Sequence, residues 1–295
     1  MAFEQDTHFQ VTYIICRTAG FTAAESLLIA AADQGMDDSS GTVANGGVGG
    51  IIPNVKEEWL WHALDKGGDM RAIGVVQRKD RIFTAAENAP GKPLYLLGVF
   101  FHYQQDTWAH RHHYDGQFHS YDRYTTYNTP FGHAPAGHQP DRPPFDPGTA
   151  IMNIEDGLKY AKRYLTEVLH RAPRGFIANY QPVGPGSLQP NWAPGGPYYH
   201  QAKEDGGAGS PRRFFTDLIR AQINAYKSSS DPLYYFRHTA DEADLNATSR
   251  NLQGVCNQYA SFIGDTITIP TIAQKNSQGF LNMTTAQLLN AGLPD

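Results

Sequence analysis

The sequence predicts an all-α protein: a compact multi-helix domain with long loops rich in glycine, proline and aromatic residues. Apolar residues recur at helical spacing in several segments, whereas alternating strand patterns are scarce and internal repeats are not found. With 40% hydrophobic and 18% charged residues among 295, the chain can bury a core. We expect one domain over residues 1–295, with the chemistry-bearing motifs in 6–141 and further helices in 150–295.

Residues 8–19 are predicted to form the first helix, because apolar residues recur along one face and Gly20 is typical of a helix C-terminus. Thr22 and Glu25 are spaced as a capping box, in which each side chain bonds the other's backbone N–H. That pattern predicts the start of a second helix, rich in alanine and leucine, which we expect to reach Asp33.

Residues 38–53 are polar and then rich in glycine, which predicts a loop without the Gly-Lys-Ser/Thr ending of a phosphate-binding loop. A short helix carrying His62 follows. Pro93 suits the first turn of a helix, and the apolar run after it predicts a helix over residues 94–111. The segment 114–150, rich in aromatic residues, proline and glycine, is predicted to be a loop.

The C-terminal half continues this pattern of helices and loops. Asn153 is predicted to begin a helix with one apolar stripe, and the aromatic segment 172–211 is predicted to be a loop. Helices are expected over residues 212–227 and 240–263, with a last short helix near 284–291.

Charge, hydropathy and cysteine usage exclude some classes of protein. Apolar runs stay short of the about 18 residues of a membrane-spanning helix. The polar first residues are unlike a signal peptide, and Cys16 and Cys256 form no metal or redox motif. We therefore expect a cytoplasmic protein, with export by a specialised secretion system as the alternative. A net charge of −5 without a Lys/Arg block argues against a stable nucleic-acid complex.

The strongest chemical signal lies on the predicted helix over 94–111. His102, Asp106 and His110 follow one another at four-residue spacing, which places them on one helical edge in steps of about 40°. The rest of this helix is apolar nearly all round, so it is expected to be buried, where ionisable groups are costly without a partner. A buried His-Asp-His hydrogen-bond network is one interpretation. We favour a metal site, because imidazole and carboxylate groups suit zinc.

Further donors make a multinuclear site the better interpretation. Seven of the 12 histidines fall between His102 and His138. The candidate metal ligands are His8, Asp33, Asp37, His62, His102, Asp106, His110, His133, His138 and Asp141. This set exceeds what one tetrahedral ion can use, so we expect two or three zinc ions, or another divalent metal, that share carboxylates. Secondary candidates are Asp6, Asp38, His112 and His113.

Three features of the sequence resemble a known superfamily: an N-terminal helix with a histidine, the motif Trp61-His62-x-x-Asp65, and the motif His102-x-x-x-Asp106 with a further histidine. This superfamily contains the zinc-dependent phospholipases C and the single-strand nucleases. The chain is similar to a poorly characterised bacterial branch of it. The resemblance covers residues 6–141. It implies an all-α enzyme with a trinuclear zinc cluster that cleaves phosphodiesters.

The resemblance also implies roles for individual residues. His8 resembles the family's ligand on the N-terminal helix, Asp33 or Asp37 its bridging aspartate, and His62 the histidine after the following loop. The exported members ligate zinc through the amine of a processed N-terminal tryptophan. This sequence starts differently, and Asp6 is the candidate replacement.

The central and final ligands depart from the family pattern in spacing. The third central ligand of the family sits six residues after the central aspartate, which is His112 here, whereas helix geometry favours His110. The family's final His/carboxylate pair is similar to His138 and Asp141, but these are three rather than four residues apart, and His133 is an alternative.

The expected function is therefore that of a metal-dependent phosphoester hydrolase, phospholipase C-like, in which the ions activate a water molecule. Asp33 or Asp37 is expected to orient or deprotonate that water as the catalytic residue. The aromatic segment 172–202 could contact lipid at a membrane surface. The alternatives are a single-strand nuclease-like enzyme, other metal-assisted chemistry on a small molecule, and a non-catalytic, metal-stabilised structural or interaction protein. The sequence does not indicate an oligomeric state.

Overall fold

The computed structural model describes residues 6–38, 42, 55–64, 73–112, 122–126, 147–173 and 283–295, and these are mainly helical. The prediction of an all-α protein is confirmed, while the single domain over the whole chain stays a prediction. A π-helical turn (Asp6–Val11) leads into α1 (Thr12–Ala19). The next helices are α2 (Ala23–Asp38), α3 (Val55–Trp61), α4 (Ile73–Asn88) and α5 (Leu94–Ala109). Helix α6 (Pro147–Arg163) is followed by a second π-helical turn (Tyr164–Val168), and α7 (Thr285–Asn290) lies near the C-terminal end.

The first two helices are joined as the sequence predicts. Gly20 has a left-handed φ of 118°, and its N–H donates to the carbonyl of Cys16, which ends α1. The capping box at the start of α2 is confirmed: the Glu25 N–H donates to Thr22 Oγ1 at 3.3 Å, and the Thr22 N–H donates to Glu25 Oε2 at 2.8 Å.

The second helix extends beyond its predicted end at Asp33, and reaches Asp38. Met36 is fully buried, so the last turn is held by packing, and the Thr42 hydroxyl donates to the Met36 carbonyl at 2.9 Å. Continuation of the helix keeps Asp33 and Asp37 on the same face, one turn apart.

Helix α5 is the centre of the described fold. Pro93 precedes its first residue, and the side chains from Leu96 to Ala109 are buried, as the apolar sequence predicts. The helix ends at Ala109 rather than near residue 111, and His110 is its C-cap.

Helices α2 and α5 approach most closely at Gly98. A Cβ atom there would meet the carbonyl oxygen of Ile29 and would lie 2.6 Å from Ala32 Cβ, so only glycine fits. Because His102 lies one turn after Gly98 and Asp33 follows Ala32, this crossing brings their side chains together.

Helix α4 was missed in the sequence, although it carries a helical stripe of apolar residues. Val75, Ile82 and Phe83 are buried on the side that faces α5, where the rings of Phe83 and Phe100 lie 4.7 Å apart. The stripe was obscured because the helix also carries charged residues on its buried side, among them Arg78.

The prediction that Asn153 begins a helix was wrong, because α6 begins at Pro147. Asn153 is instead a buried residue inside the helix, and its Oδ1 atom accepts a hydrogen bond from Gln104 Nε2 at 2.8 Å. Within the predicted loop over 114–150, the structure also has a short strand β2 (Asp122–Thr126), which pairs antiparallel with β1 (Arg111–His112).

The C-terminal segment packs against α3 and α4. Helix α7 agrees with the predicted helix near 284–291, and its Thr285 Oγ1 accepts a hydrogen bond from Trp61 Nε1 at 2.9 Å. The buried Arg78 donates to the carbonyls of Leu60 at 2.9 Å and Pro294 at 2.8 Å. These contacts hold the end of α3, directly before His62.

The predicted helices over 212–227 and 240–263, and most of the predicted loop over 172–211, lie outside the described residues. Among the helices that the structure describes, none combines the length and apolar character that crossing a bilayer requires.

Candidate metal centre

Six of the predicted ligands converge in the interior, between the N-terminal π-helical turn, α2, the end of α3 and α5. Each is buried, with at most 6% of its surface exposed. They are His8, Asp33, Asp37, His62, His102 and Asp106. In so small a volume, three carboxylates repel one another, and burial removes the water that would hydrate them. Such an arrangement is costly unless a positive charge compensates it.

One group of donors joins α5 to the residue after α3. His102 Nε2 lies 3.3 Å from Asp106 Oδ2 and 3.1 Å from His62 Nδ1, and His62 Nδ1 lies 3.4 Å from the same Asp106 oxygen. The Nε2 atom of His62 is bonded to the Thr42 carbonyl at 2.8 Å, which turns Nδ1 toward the centre. His62, His102 and Asp106 can therefore present three donor atoms to one ion.

A second group consists of His8, Asp37 and His102, and it shares His102 with the first. His8 Nε2 lies 3.6 Å from Asp37 Oδ2, and the rings of His8 and His102 have centroids 4.3 Å apart. Asp37 Oδ1 also lies 3.6 Å from His62 Nδ1, and Asp106 Oδ1 lies 3.4 Å from His8 Nε2. Both carboxylates thus contact both groups, as bridging ligands of two neighbouring ions would.

The distances around Asp106 fit a shared ion better than direct hydrogen bonds. Two donors that each lie about 2.0–2.1 Å from one tetrahedral zinc ion are about 3.3–3.4 Å apart. Three imidazole nitrogens lie 3.3–3.4 Å from Asp106 oxygens, beyond the ordinary hydrogen-bond range of about 2.7–3.2 Å. Both oxygens of Asp106 are buried, and neither accepts a hydrogen bond of ordinary geometry from the described residues. The residues therefore fit a divalent metal ion.

The electrostatics of the centre show how strongly it attracts positive charge. Burial lowers the pKa of His102, but Asp106 and Asp37 outweigh burial and the opposing charge of His8, and raise that pKa to about 9. Burial likewise lowers the pKa of His8, yet Asp33, Asp106 and Asp37 raise it well above its usual value. Burial raises the pKa of Asp106, while the charges of His102 and His110 bring it well below its usual range.

Asp33 belongs to neither group of donors. Its Oδ1 atom lies 2.9 Å from His8 Nδ1, and its Oδ2 atom accepts a hydrogen bond from Thr12 Oγ1 at 2.5 Å. It contacts His102 as well, with Oδ1 3.4 Å from Nδ1. The geometry therefore places Asp33 behind two histidines, and its predicted role as a direct ligand stays a prediction.

His110 also lies apart from both groups. His110 is the C-cap of α5 and its backbone N–H still donates to the Asp106 carbonyl, while its Nδ1 atom is bonded to the backbone carbonyl of His62. The charge of His110 nevertheless acts on Asp106. His112, the alternative third ligand, lies in β1, and its side chain is outside the described part of the structure.

The remaining candidates are not described. His113, His133, His138 and Asp141 lie outside the described residues, as do the side chains of Asp6 and Asp38. Their assignments as metal ligands stay predictions. The presence of a third ion, which depends on these ligands, stays a prediction as well.

Thr12 and Gln105 are site residues that the sequence interpretation missed. Gln105 Nε2 donates to Thr12 Oγ1 at 2.5 Å, and Thr12 in turn contacts Asp33. The signal was spacing: Thr12 follows His8 by four residues, and Gln105 directly precedes Asp106 in a helix that is expected to be buried. Polar residues beside ligands in a buried helix are candidates for a supporting role.

Comparison with known proteins gives one match, to a family described as "Family of unknown function (DUF6765)", over residues 3–60. The matched segment contains His8, Asp33 and Asp37, and thus the N-terminal side of the centre. Searches of curated proteins and of solved structures find no match.

Proposed function

We propose that the protein is a metal-dependent hydrolase of phosphoesters with phospholipase C-like chemistry. The observation that carries the proposal is the spacing of the imidazole nitrogens around Asp106, at 3.3–3.4 Å, within two overlapping donor groups. Zinc suits this set of imidazole and carboxylate donors, and another divalent metal could replace it. The motifs of residues 6–141 resemble enzymes that use such a centre on phosphodiesters.

The chain's own residues have distinct tasks in this proposal. His8, His62 and His102 would bind the ions through ring nitrogens, with Asp37 and Asp106 between the two donor groups. When bound, divalent ions would lower the pKa of a water molecule toward about 7 and neutralise charge on the phosphoryl oxygens.

Asp37 is the better candidate for the catalytic carboxylate. Both oxygens of Asp33 are engaged, by His8 and by Thr12. The side chain of Asp37 is 3% exposed, whereas those of the other five residues of the centre are fully buried. Among the carboxylates of the centre, Asp37 thus keeps the most exposure, and in this proposal it would orient an incoming water molecule and hold the proton that this water releases.

The burial of the centre favours one alternative function. An ion that is fully enclosed by protein ligands has no position for substrate and only stabilises the fold. Five of the six side chains are fully buried, as such a structural site requires. A metal-stabilised structural or interaction protein is therefore the second candidate.

Turnover by the zinc-loaded protein separates these functions. The substrates are a chromogenic phosphodiester, a chromogenic phosphocholine ester and single-stranded DNA, each tested with and without chelator. The hydrolase proposal expects chelator-sensitive turnover, strongest on the phosphocholine ester. Asp37→Asn should abolish turnover while the ion held by His62, His102 and Asp106 remains bound, and Asp295→Asn, on an exposed carboxylate, should leave turnover unchanged. Bound zinc without turnover of any substrate would favour the structural function, whereas DNA as the best substrate would favour the nuclease-like alternative.

We further propose a cytoplasmic location, which is supported by the free, buried thiol of Cys16. Cell fractionation with detection of the protein tests it, and recovery from the exported fraction would contradict it.

A further inference from the structure

A chain of buried polar contacts leads from α5 through α1 and α2 to the first histidine of the centre. Gln105 Nε2 donates to Thr12 Oγ1 at 2.5 Å, and Thr12 Oγ1 donates to Asp33 Oδ2 at 2.5 Å. The other oxygen of Asp33 lies 2.9 Å from His8 Nδ1. All four side chains are inaccessible to solvent.

We propose that Gln105 and Thr12 are positioning residues that act through Asp33 and fix the ring of His8, so that its Nε2 atom faces the metal ions. The inference rests on the proposed metal-dependent function. It assigns a task to two residues that contact no ion themselves, and it places Asp33 as their link to His8.

The direction of each hydrogen bond follows from the groups themselves. A carboxylate can only accept, so the single hydroxyl hydrogen of Thr12 goes to Asp33. The Thr12 oxygen must then accept its other bond, which requires the amide nitrogen of Gln105 to face it, as observed. The chain is thus polarised from Gln105 to Asp33.

The contact with Asp33 also favours one state of the histidine ring. The Asp33 oxygen that lies 2.9 Å from His8 Nδ1 belongs to a carboxylate and carries no hydrogen, so this contact favours the ring state in which Nδ1 carries one. In the neutral ring Nε2 then carries the lone pair. That atom lies 3.4 Å from Asp106 Oδ1 and 3.6 Å from Asp37 Oδ2, on the side where the ions would bind.

Gln105 is costly for folding alone, which supports a role at the centre. Its side chain is fully buried, and among the described residues its Oε1 atom has no hydrogen-bond partner. A buried amide that satisfies only part of its bonding capacity destabilises a core relative to an apolar side chain. Residues that orient a ligating histidine commonly contribute about 10–100-fold to metal affinity.

The test is the zinc affinity of the full-length protein, measured by competition with a chromophoric chelator. Thr12→Val removes the hydroxyl at nearly constant volume, and we expect it to weaken zinc binding about 10–100-fold. Thr12→Ser keeps the hydroxyl and should bind zinc as the wild type does. Thr18→Val is the matched control, a buried threonine on the same helix, and it should leave the affinity unchanged.

Two further measurements separate positioning from packing. The visible absorption of the cobalt-loaded protein should change in Thr12→Val and not in Thr18→Val, because it reports the ligand field. Gln105→Met keeps the Thr12–Asp33 bond and removes only the first donor, so it should weaken zinc binding less than Thr12→Val. Gln105→Met also provides the test if Thr12→Val does not fold.

If Thr12→Val and Gln105→Met both bind zinc as tightly as the wild type, the inference is overturned. Equal losses of zinc affinity in Thr12→Val and Thr18→Val would also overturn it. A wild-type protein that binds no zinc would overturn the inference and the proposed function together. Weak binding confined to Thr12→Val and Gln105→Met supports the inference even if no phosphoester is hydrolysed, a result that counts against the proposed function alone.

Discussion

His62 Nδ1 and His102 Nε2 lie 3.1 Å apart, although the two residues are 40 positions apart in the chain. Both nitrogens also lie within 3.4 Å of the same oxygen of Asp106. Two ring nitrogens can face each other so closely only if one carries a proton or if both bind one cation. A proton and a metal ion therefore compete for this position, and the predictions below depend on that competition.

Removing the imidazole of His102 should disrupt both donor groups, because His102 belongs to each of them. We expect His102→Ala to lose bound zinc and with it the stabilisation that zinc gives, which is about 4 kcal/mol at 1,000 times the Kd. Metal content per chain and the melting temperature with and without zinc measure the effect. The control is His170→Asn, on an exposed histidine of left-handed conformation, which asparagine tolerates. Unchanged zinc content in His102→Ala would show that the centre is misassigned.

The close crossing of α2 and α5 should be intolerant of one added methyl group. Gly98→Ala would place a Cβ against the backbone of Ile29, so we expect a loss of about 1–3 kcal/mol of unfolding free energy. It should also weaken zinc binding, since the crossing sets the distance between Asp33 and His102. Urea unfolding of the metal-free protein and zinc titration measure these effects.

Gly74→Ala is the matched control, because a Cβ there meets nothing within 4 Å. Alanine in a helix should leave stability equal or raise it by up to about 1 kcal/mol. Equal stability of Gly98→Ala and Gly74→Ala would contradict the account of the crossing.

Zinc binding should strengthen as the pH rises toward 9. The pKa of His102 is raised from 6.5 to about 9 in the metal-free protein, so zinc must displace a proton from this ring below that pH. Calorimetric titration at several pH values, in buffers of different ionisation enthalpy, measures the protons released. Zinc affinity that is the same at pH 6 and pH 9 would contradict the raised pKa.

The metal-free protein should show the opposite trend in stability. A raised pKa in the folded state means that the charged His102 stabilises the fold fully below pH 6.5, and that this contribution is lost as the pH rises through about 9. The lowered pKa of Asp106 stabilises the fold above its usual value of 3.8, and that contribution is lost as the pH falls through the lowered pKa. With chelator present, the protein should therefore resist urea unfolding most between about pH 3.8 and pH 6.5, where both contributions are complete. A stability that rises steadily from pH 6.5 to 9 would be inconsistent with this arrangement.

Arg78 should be important for the docking of the C-terminal segment. Arg78→Met leaves the carbonyls of Leu60 and Pro294 without their donor, and we expect a loss of about 2–4 kcal/mol of unfolding free energy. Arg81→Met, on an exposed arginine of the same helix, should change stability by less than about 0.5 kcal/mol. Similar unfolding midpoints for the two variants would show that Arg78 does not hold this segment.

The local part of the candidate site could be predicted from the sequence. His102 and Asp106 lie together because helical periodicity alone brings residues four apart onto one face. Gly20 and the capping box mark helix ends through backbone requirements that are equally local. The extension of α2 to Asp38 was missed, because burial of its last turn outweighs the cost of Gly35.

The tertiary part could not be predicted in the same way. The contact of Asp33 with Thr12 and His8 depends on how α1 and α2 cross, and no spacing in the sequence encodes that crossing. The carbonyl of His62 accepts the ring N–H of His110 from 48 positions away, a contact that helical spacing does not encode. Spacing thus identified His102 and Asp106 as neighbours, whereas the convergence of the other residues and their separate roles depend on the packing.

The most direct test of the centre is the number of zinc ions that the full-length protein retains after dialysis against low zinc, measured by elemental analysis. The two overlapping donor groups predict at least one ion per chain, and two if both groups fill, with this metal lost in His102→Ala. Fewer than one ion per chain in the wild type would contradict the account.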